Sequence, residues 1–333
     1  MTVDRRTFFG AALALGATTS AGHALAQAAA GGAAGSTGST RVSHIVVPFA
    51  AGGVQDILAR SISTELGVAL GQTVIVDNRA GAGGTVGTSY VAKSPPDGST
   101  MVMAAASHNI AGTLYTKLNY DPQKDFVPIA HIGTADYVLM VHADVPAKTV
   151  ADYIRYAKAN PGKLNYATAG IGSATHLSMA YFNGLAGIDV VHIPLKATGE
   201  AINEVISGRA QAVIAASIGA LAFTNDSRVR LIGVTSTKRS KYLPAVPTIA
   251  ESGLPGYRFD SWFGLLGPTG TPPAQVARVN TAVAGLLQNP VILERLDKQG
   301  ITPLAMGSAD FGRLLAVDYK RMAEVVKASG ATV

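Results

Sequence analysis

Short apolar strands and amphipathic helices alternate along this chain, and glycine or other small residues fill many of the junctions between them. Residues 45–47 form a β-branched run, followed by two glycines and by Leu58, Ile62 and Leu66 at helical spacing. Such uninterrupted apolar runs are typical of parallel strands buried on both faces. Alternation of strands and helices predicts α/β layers with mostly parallel sheets.

The same alternation continues to the end of the chain, whose 333 residues suggest roughly two domains of about 150 residues each. The patterns predict further strands near residues 74–76, 101–104, 139–141, 165–167, 190–193, 213–215, 231–234 and 259–266. They predict helices at 85–93, after Ser173, and at 150–159, 198–207, 273–287, 291–299 and 310–327.

The first 26 residues have the layout of a secretory signal. Arg5 and Arg6 precede a short Ala/Gly-rich apolar run, and the small residues at 24–26 suit a signal peptidase. Paired arginines are typical of the twin-arginine export route, while the general secretory route stays open. Residues 27–40 are uncharged and aperiodic, which predicts a flexible tether. We therefore expect a periplasmic protein that is cleaved near Ala26.

Composition excludes several classes of function. The chain has no cysteine, so disulfides, thiolate metal sites and cysteine nucleophiles are ruled out. Mean hydropathy is positive at +0.26, yet no segment after the signal offers the about 18 uninterrupted apolar residues of a membrane span. The net charge of +6 is too diffuse for a nucleic-acid surface.

Motifs for catalysis or cofactors are also missing from the sequence. There is no Gly-x-Ser-x-Gly nucleophile elbow and no His-Glu-x-x-His metal helix. The glycine run at 81–87 departs from dinucleotide spacing, since Val86 occupies the place of the third glycine. We therefore expect no cofactor and no metal. Asp56, in the first turn of its helix, is interpreted as a partner of the helix dipole.

Three loops share a design that suits anions. The loops at 48–53, 168–175 and 195–199 each follow a strand, contain small residues and open a helix. A helix start leaves backbone N–H groups unpaired, and glycine lets a ligand approach them. One helix start contributes at most about 2 kcal/mol, whereas micromolar binding needs about 8 kcal/mol. Several loops closing over one anion are therefore favoured over a single surface site.

An ordered set of motifs resembles one family along nearly the whole chain, from Ile45 to Val326. The matching stretches are residues 48–56, 78–84, 96–98, 120–126, 170–177, 243–248 and 262–264. They resemble the solute-binding proteins of tripartite tricarboxylate transporters, often called the Bug family.

The resemblance implies an α/β fold of the type II periplasmic-binding-protein class, with two lobes, a central ligand cleft and two crossover strands. The first lobe is expected at 41–138 plus 263–333 and the second at 139–262, with crossovers near 137–142 and 259–263. Such a protein captures a small carboxylate and delivers it to the membrane permease subunits of its transporter. We expect a monomer that is not an enzyme.

The resemblance also implies which residues bind the ligand. They lie in the three loops or in the helix turn that follows the second loop: Phe49, Ala50, Gly52, Gly53, Thr168, Ala169, Gly170, Ser173, His176, Lys196 and Ala197. Apolar residues replace more polar family residues at Ala169, Ile171 and Leu195, and Ala197 replaces a glycine. These changes favour an aromatic or partly apolar mono- or dicarboxylate over citrate.

Two other functions stay open from the sequence. An exported hydrolase of carboxylate esters or amides would use Ser173 and His176, although no orienting acid is identifiable. A ligand sensor for a signalling partner would share the same cleft.

Overall fold

The computed structural model describes residues 41–332, so the predicted signal peptide and tether lie outside the described residues. The strands are β1 (Val42–Val47), β2 (Thr73–Asn78), β3 (Thr100–Ala105), β4 (Phe126–His142), β5 (Asn165–Thr168), β6 (Val191–Pro194), β7 (Ala212–Ala216), β8 (Val229–Val234), β9 (Asp260–Pro268) and β10 (Ile301–Met306). The helices are α1 (Val54–Leu70), α2 (Thr85–Ala92), α3 (Ala106–Leu114), α4 (Val150–Ala159), α5 (Ala174–Ala186), α6 (Thr198–Ile206), α7 (Ser217–Ala220), α8 (Pro273–Leu286), α9 (Pro290–Lys298) and α10 (Ser308–Ser329).

Every predicted strand and helix that falls within the described residues is present, with ends displaced by a few residues. The spacing of Leu58, Ile62 and Leu66 correctly placed the buried face of α1, where these side chains are at most 1% exposed. Four elements escaped the sequence analysis: α3, α7, β10 and the first half of β4. Within residues 41–332, no helix combines the length and the apolar character that a membrane span requires.

The strands lie in the order β2-β1-β3-β9-β4-β7-β5-β6, and β8 and β10 pair with β4. At the two ends of this path the neighbours are parallel, β1 with β2 and β3, and β5 with β6 and β7. In the middle, β9 is antiparallel to β3 and β4, and β4 is antiparallel to β7. The expectation of mostly parallel sheets is therefore wrong for the centre, because β9 runs antiparallel to both of its neighbours and β4 runs antiparallel to β7 and β8.

Two α/β lobes follow from this pairing. We call the part with β1–β3 and α1–α3 the first lobe, and the part with β5–β8 and α4–α7 the second lobe. Residues 126–136 of β4 pair with β9, and residues 137–141 pair with β7, so β4 passes from one lobe into the other. Helix α10 packs on both α3 and α5. The C-terminal helix therefore contacts the second lobe as well as the first.

Candidate functional site

The starts of four helices surround a small cavity between the lobes, which we call the inner chamber. Its volume is about 30 Å³, the space of about one water molecule. The residues that line it carry no charge. They come from the starts of α1, α3, α5 and α6, from the loops before these helices, and from β4 and β9: Phe49, Gly53, Val54, Gln55, Ala105, Ser107, Tyr137, Ala169, Ser173, Ala174, Thr175, Thr198 and Phe263. Each helix start carries about half a positive charge, so the chamber favours an anion.

Backbone donors without partners occur at two of these helix starts. Among residues 41–332, the N–H groups of Val54 and Gln55 in α1 have no hydrogen-bond acceptor. The same holds for Ala174 and Thr175 in α5. These four residues all line the inner chamber. A buried N–H group is stabilised by any acceptor that reaches it. Donors from both lobes can therefore bind the carboxylate oxygens of a ligand in the chamber.

Asp56 holds the first loop against the body of the lobe. Its buried carboxylate accepts hydrogen bonds from Gly52 N (2.9 Å), Arg60 Nε (2.9 Å) and Asn78 Nδ2 (3.0 Å). Burial by itself raises the pKa of Asp56, but the hydrogen bonds from Arg60, Gly52 and Asn78 outweigh it and lower the pKa. Asn78 Nδ2 also donates to Phe49 O at 3.1 Å. These contacts give Asp56 a structural role at the loop of residues 48–53.

Most backbone N–H groups of the second loop, at 168–175, find acceptors within the loop or in the first turn of α5. Ala169 N donates to Thr175 Oγ1 at 2.8 Å, and Gly170 N donates to Thr168 Oγ1 at 3.2 Å. Ser173 N donates to Gly170 O at 3.1 Å. The donors expected from Gly170 and Ser173 are thus already used, and the free donors lie one or two residues further, in the first turn of α5.

The Ser173–His176 contact differs from that of a hydrolase. Ser173 Oγ accepts a hydrogen bond from the backbone N–H of His176 at 3.2 Å, as a helix cap. The imidazole Nδ1 of His176 instead accepts from Gly172 N at 3.2 Å. Within residues 41–332 the ring forms no hydrogen bond with Ser173 Oγ, so this pair lacks the contact through which a histidine activates a serine.

A larger cavity adjoins the inner chamber, and Phe49 and Ala169 line both. We call it the outer groove; its volume is about 730 Å³. Its walls are mainly apolar or glycine backbone: Phe49, Ala80, Gly81, Ala82, Gly83, Gly84, Tyr115, Ala169, Gly170, Ile171, Pro194, Leu195 and Lys196. Lys196 is the only charged residue among them, so the groove offers an apolar surface with one cation.

The two lobes touch along the outer groove. Tyr115 Oη of the first lobe lies 3.0 Å from Ala82 O and 3.2 Å from Ile171 O of the second lobe. A Cβ atom on Gly83 would lie 2.2 Å from Ile171 O, and one on Gly172 would lie 2.9 Å from Tyr115 Cε2. Both glycines have positive φ angles. The lobes therefore approach so closely here that neither position has room for a side chain.

The structure distributes the predicted site residues over several places. Phe49, Gly53, Ala169 and Ser173 line the inner chamber, and Gly170 and Lys196 line the outer groove. Gly52 lines a third cavity of about 270 Å³ beside the start of α1. The remaining four line none of these three cavities: Ala50, Thr168, His176 and Ala197.

Sequence reasoning missed several lining residues. Ser107 was overlooked because the start of α3 was not predicted, and Tyr115 because it follows that helix. Val54, Gln55, Ala174 and Thr175 were signalled by their position directly after the glycine- and serine-rich loops. Within residues 41–332, no group of three or more His, Asp or Glu side chains is arranged to hold a metal ion.

Comparisons with known proteins agree with this geometry. Residues 58–331 match the family described as tripartite tricarboxylate transporter family receptor. Protein BugT of Bordetella pertussis is 33% identical over 290 residues, which cover 86% of this chain and 89% of BugT.

Two solved structures from Rhodopseudomonas palustris have the same architecture. Rpa4515 with adipate is 34% identical with a TM-score of 0.84, covering 88% of this chain and 99% of that one. MatC with bound malate is 31% identical with a TM-score of 0.81, covering 86% and 99%. These likenesses confirm the expected type II periplasmic-binding-protein fold.

Proposed function

The chain belongs to the tripartite tricarboxylate transporter receptor family, a family of solute-binding proteins rather than enzymes, and on that basis we propose its ligand and its route. It captures a small carboxylate between its two lobes in the periplasm. It then delivers this carboxylate to the membrane permease subunits of a tripartite tricarboxylate-type transporter. The protein acts as a monomer that is exported by its N-terminal signal and cleaved near Ala26.

The convergence of four helix starts on the inner chamber carries this proposal. A carboxylate there meets unpaired N–H groups from α1 and α5 without any opposing charge in the lining. Charge-assisted hydrogen bonds contribute roughly 1.5–3 kcal/mol each. Three or four of them reach the about 8 kcal/mol of micromolar affinity. Backbone dipoles thus take the role that arginine or lysine plays in other carboxylate sites.

The outer groove supports a ligand with an apolar body. Ile171, Pro194 and Leu195 line it, and Lys196 is placed for a second anionic group. When the carboxylate group of a ligand is held in the inner chamber, the rest of the ligand extends past Phe49 and Ala169 into this groove. Adipate in Rpa4515 has this layout, with two carboxylates and an apolar middle, whereas malate in MatC is shorter and more polar. We therefore favour an aromatic or partly apolar mono- or dicarboxylate.

A thermal-shift screen followed by calorimetry tests the proposal. The panel contains benzoate, adipate, malate and citrate, with neutral adipamide as the uncharged control for adipate. A ligand at 100 times its dissociation constant stabilises the fold by about 2.7 kcal/mol. We expect adipate or benzoate to stabilise the protein and adipamide to have no effect.

The outcomes separate the two parts of the proposal. Failure of every carboxylate in the panel and of longer homologues would contradict carboxylate capture itself. Tight binding of citrate without binding of adipate or benzoate would retain carboxylate capture and contradict the preference for an apolar body.

A further inference from the structure

Two histidines lie stacked behind the loop that opens α5. The imidazole rings of His176, in α5, and His192, in β6, have centroids 4.3 Å apart and planes inclined by 20°. Tyr166 of β5 stacks on His192 with centroids 4.9 Å apart. His176 is only 5% exposed. Neither imidazole lines the inner chamber or the outer groove. A direct contact of these rings with a ligand in either cavity is therefore not what their position favours.

Each imidazole contacts one end of loop 168–173. His176 Nδ1 accepts the hydrogen bond from Gly172 N at 3.2 Å. His192 Nε2 lies 2.6 Å from Thr168 Oγ1, which in turn accepts from Gly170 N at 3.2 Å. The backbone of Gly170 and Gly172 is in the left-handed region, with φ of 105° and 79°. Glycine is free to leave such a conformation, so outside contacts are needed to fix it.

The contact to Gly172 requires an unprotonated nitrogen. An imidazolium carries a proton on both nitrogens and accepts no hydrogen bond. Burial lowers the pKa of His176 to about 4, with a further contribution from His192, and burial lowers the pKa of His192 to about 4 as well. Both rings are consequently neutral near pH 7, and Nδ1 of His176 is available as an acceptor.

We infer that His176 and His192 are positioning residues, which hold loop 168–173 in the form that presents the Ala174 and Thr175 amides to the ligand. The inference rests on the proposed carboxylate function, and it replaces the direct ligand contact that the sequence suggested for His176. Loss of the His176 acceptor releases Gly172 and lets the loop move away from the start of α5.

Two substitutions separate the acceptor role from packing of the ring. His176→Asn keeps a side-chain acceptor close to the position of Nδ1, whereas His176→Phe keeps a stacking ring without an acceptor. Amide hydrogen exchange in the purified protein reports on the loop without any ligand. We expect exchange at Gly172 to stay within about threefold of the parent in His176→Asn and to rise at least about tenfold in His176→Phe. Adipate affinity follows the same order, with a loss of about tenfold in His176→Phe.

Opposite results would overturn the inference. Parental protection of Gly172 in His176→Phe assigns His176 to ring packing alone. Equal loss in both variants contradicts the inference as well, because the acceptor that asparagine keeps would then not hold the loop. Nitrogen-detected magnetic resonance of the parent protein needs no variant, and a protonated Nδ1 on His176 at pH 7 contradicts the inference directly. If no carboxylate binds the parent, the proposed function fails, while the exchange rates and the Nδ1 signal still decide the role of His176.

Discussion

The hydroxyl oxygen of Tyr115 lies 3.2 Å from the carbonyl oxygen of Ile171, which joins the first lobe to the binding loop of the second. The same hydroxyl lies 3.0 Å from Ala82 O. Because a tyrosine hydroxyl has one proton, it donates to one of these carbonyls at a time. The contact thus links the two lobes at the outer groove.

Removing this hydroxyl weakens ligand binding. A neutral hydrogen bond contributes about 0.5–1.5 kcal/mol, so we expect Tyr115→Phe to lower affinity for the best carboxylate of the panel by roughly two- to tenfold. Tyr319→Phe is the matched control. Tyr319 Oη donates a hydrogen bond of 2.9 Å to Gly112 O, and Tyr319 lines neither the inner chamber nor the outer groove. Calorimetry on both variants measures the difference. Equal affinities in the two would show that the Tyr115 contact does not contribute to ligand binding.

Gly83 offers a steric test of the approach between the lobes. A Cβ atom there would lie 2.2 Å from Ile171 O, whereas one on Gly187 has no atom within 4 Å. The two glycines have similar φ angles, 63° and 60°, so alanine costs about 1–2 kcal/mol of backbone strain at either position. We expect Gly83→Ala to lower carboxylate affinity at least about tenfold and Gly187→Ala to leave it unchanged.

Small-angle scattering on the two glycine variants gives a second readout. With saturating carboxylate, Gly187→Ala should reach the compact form of the parent, and Gly83→Ala should stay more extended. Parental affinity and compaction in Gly83→Ala would show that the loops around Gly83 and Ile171 separate without cost in the bound protein.

Asp56 is expected to act on binding through the first loop. Asp56→Asn removes the negative charge that attracts Arg60. It also replaces one carboxylate oxygen by an NH2 group, so the hydrogen bond from either Gly52 N or Asn78 Nδ2 is lost. Asp152→Asn is a matched control, because Asp152 occupies the same third position of a helix, in the capping box of α4. Both changes should lower the free energy of unfolding, because each removes a negative charge from the first turn of a helix. Only Asp56→Asn should also weaken carboxylate binding, and parental affinity in this variant would remove the link between Asp56 and the site.

Local patterns predicted the elements of this fold well and the contacts between them poorly. The four-residue spacing of Leu58, Ile62 and Leu66 identifies a buried helix face regardless of what packs on it. Helix α3 lacks such a pattern, because seven of its nine residues are buried and polar Ser107, His108 and Asn109 are among them. Its position depends on neighbours that are distant in sequence.

The candidate site shows the same limit. Glycine-rich loops after strands indicated that helix starts would face a ligand, and the inner chamber has this construction. The amides that stay free were not predictable, since Thr168, Thr175 and His176 take up those of the loop itself. Hydrogen-bond partners of this kind depend on side-chain positions that spacing does not reveal. The predicted lobe boundaries and export signal stay predictions.

Stability is expected to decrease in mild acid, partly because of His108. This side chain is buried, and its Nε2 lies 2.9 Å from Pro122 O. Burial lowers its pKa to about 4 from the ordinary value of 6.5. Between these values the unfolded chain binds the proton and the folded protein does not, so stability falls as pH drops from 6.5 towards 4. The full shift in pKa corresponds to about 3 kcal/mol of unfolding free energy. Urea unfolding at pH 7 and pH 4.5 should show a smaller decrease in His108→Gln, which keeps a donor for Pro122 O but does not titrate. An unchanged decrease in this variant would mean that His108 takes up its proton equally well in the folded protein.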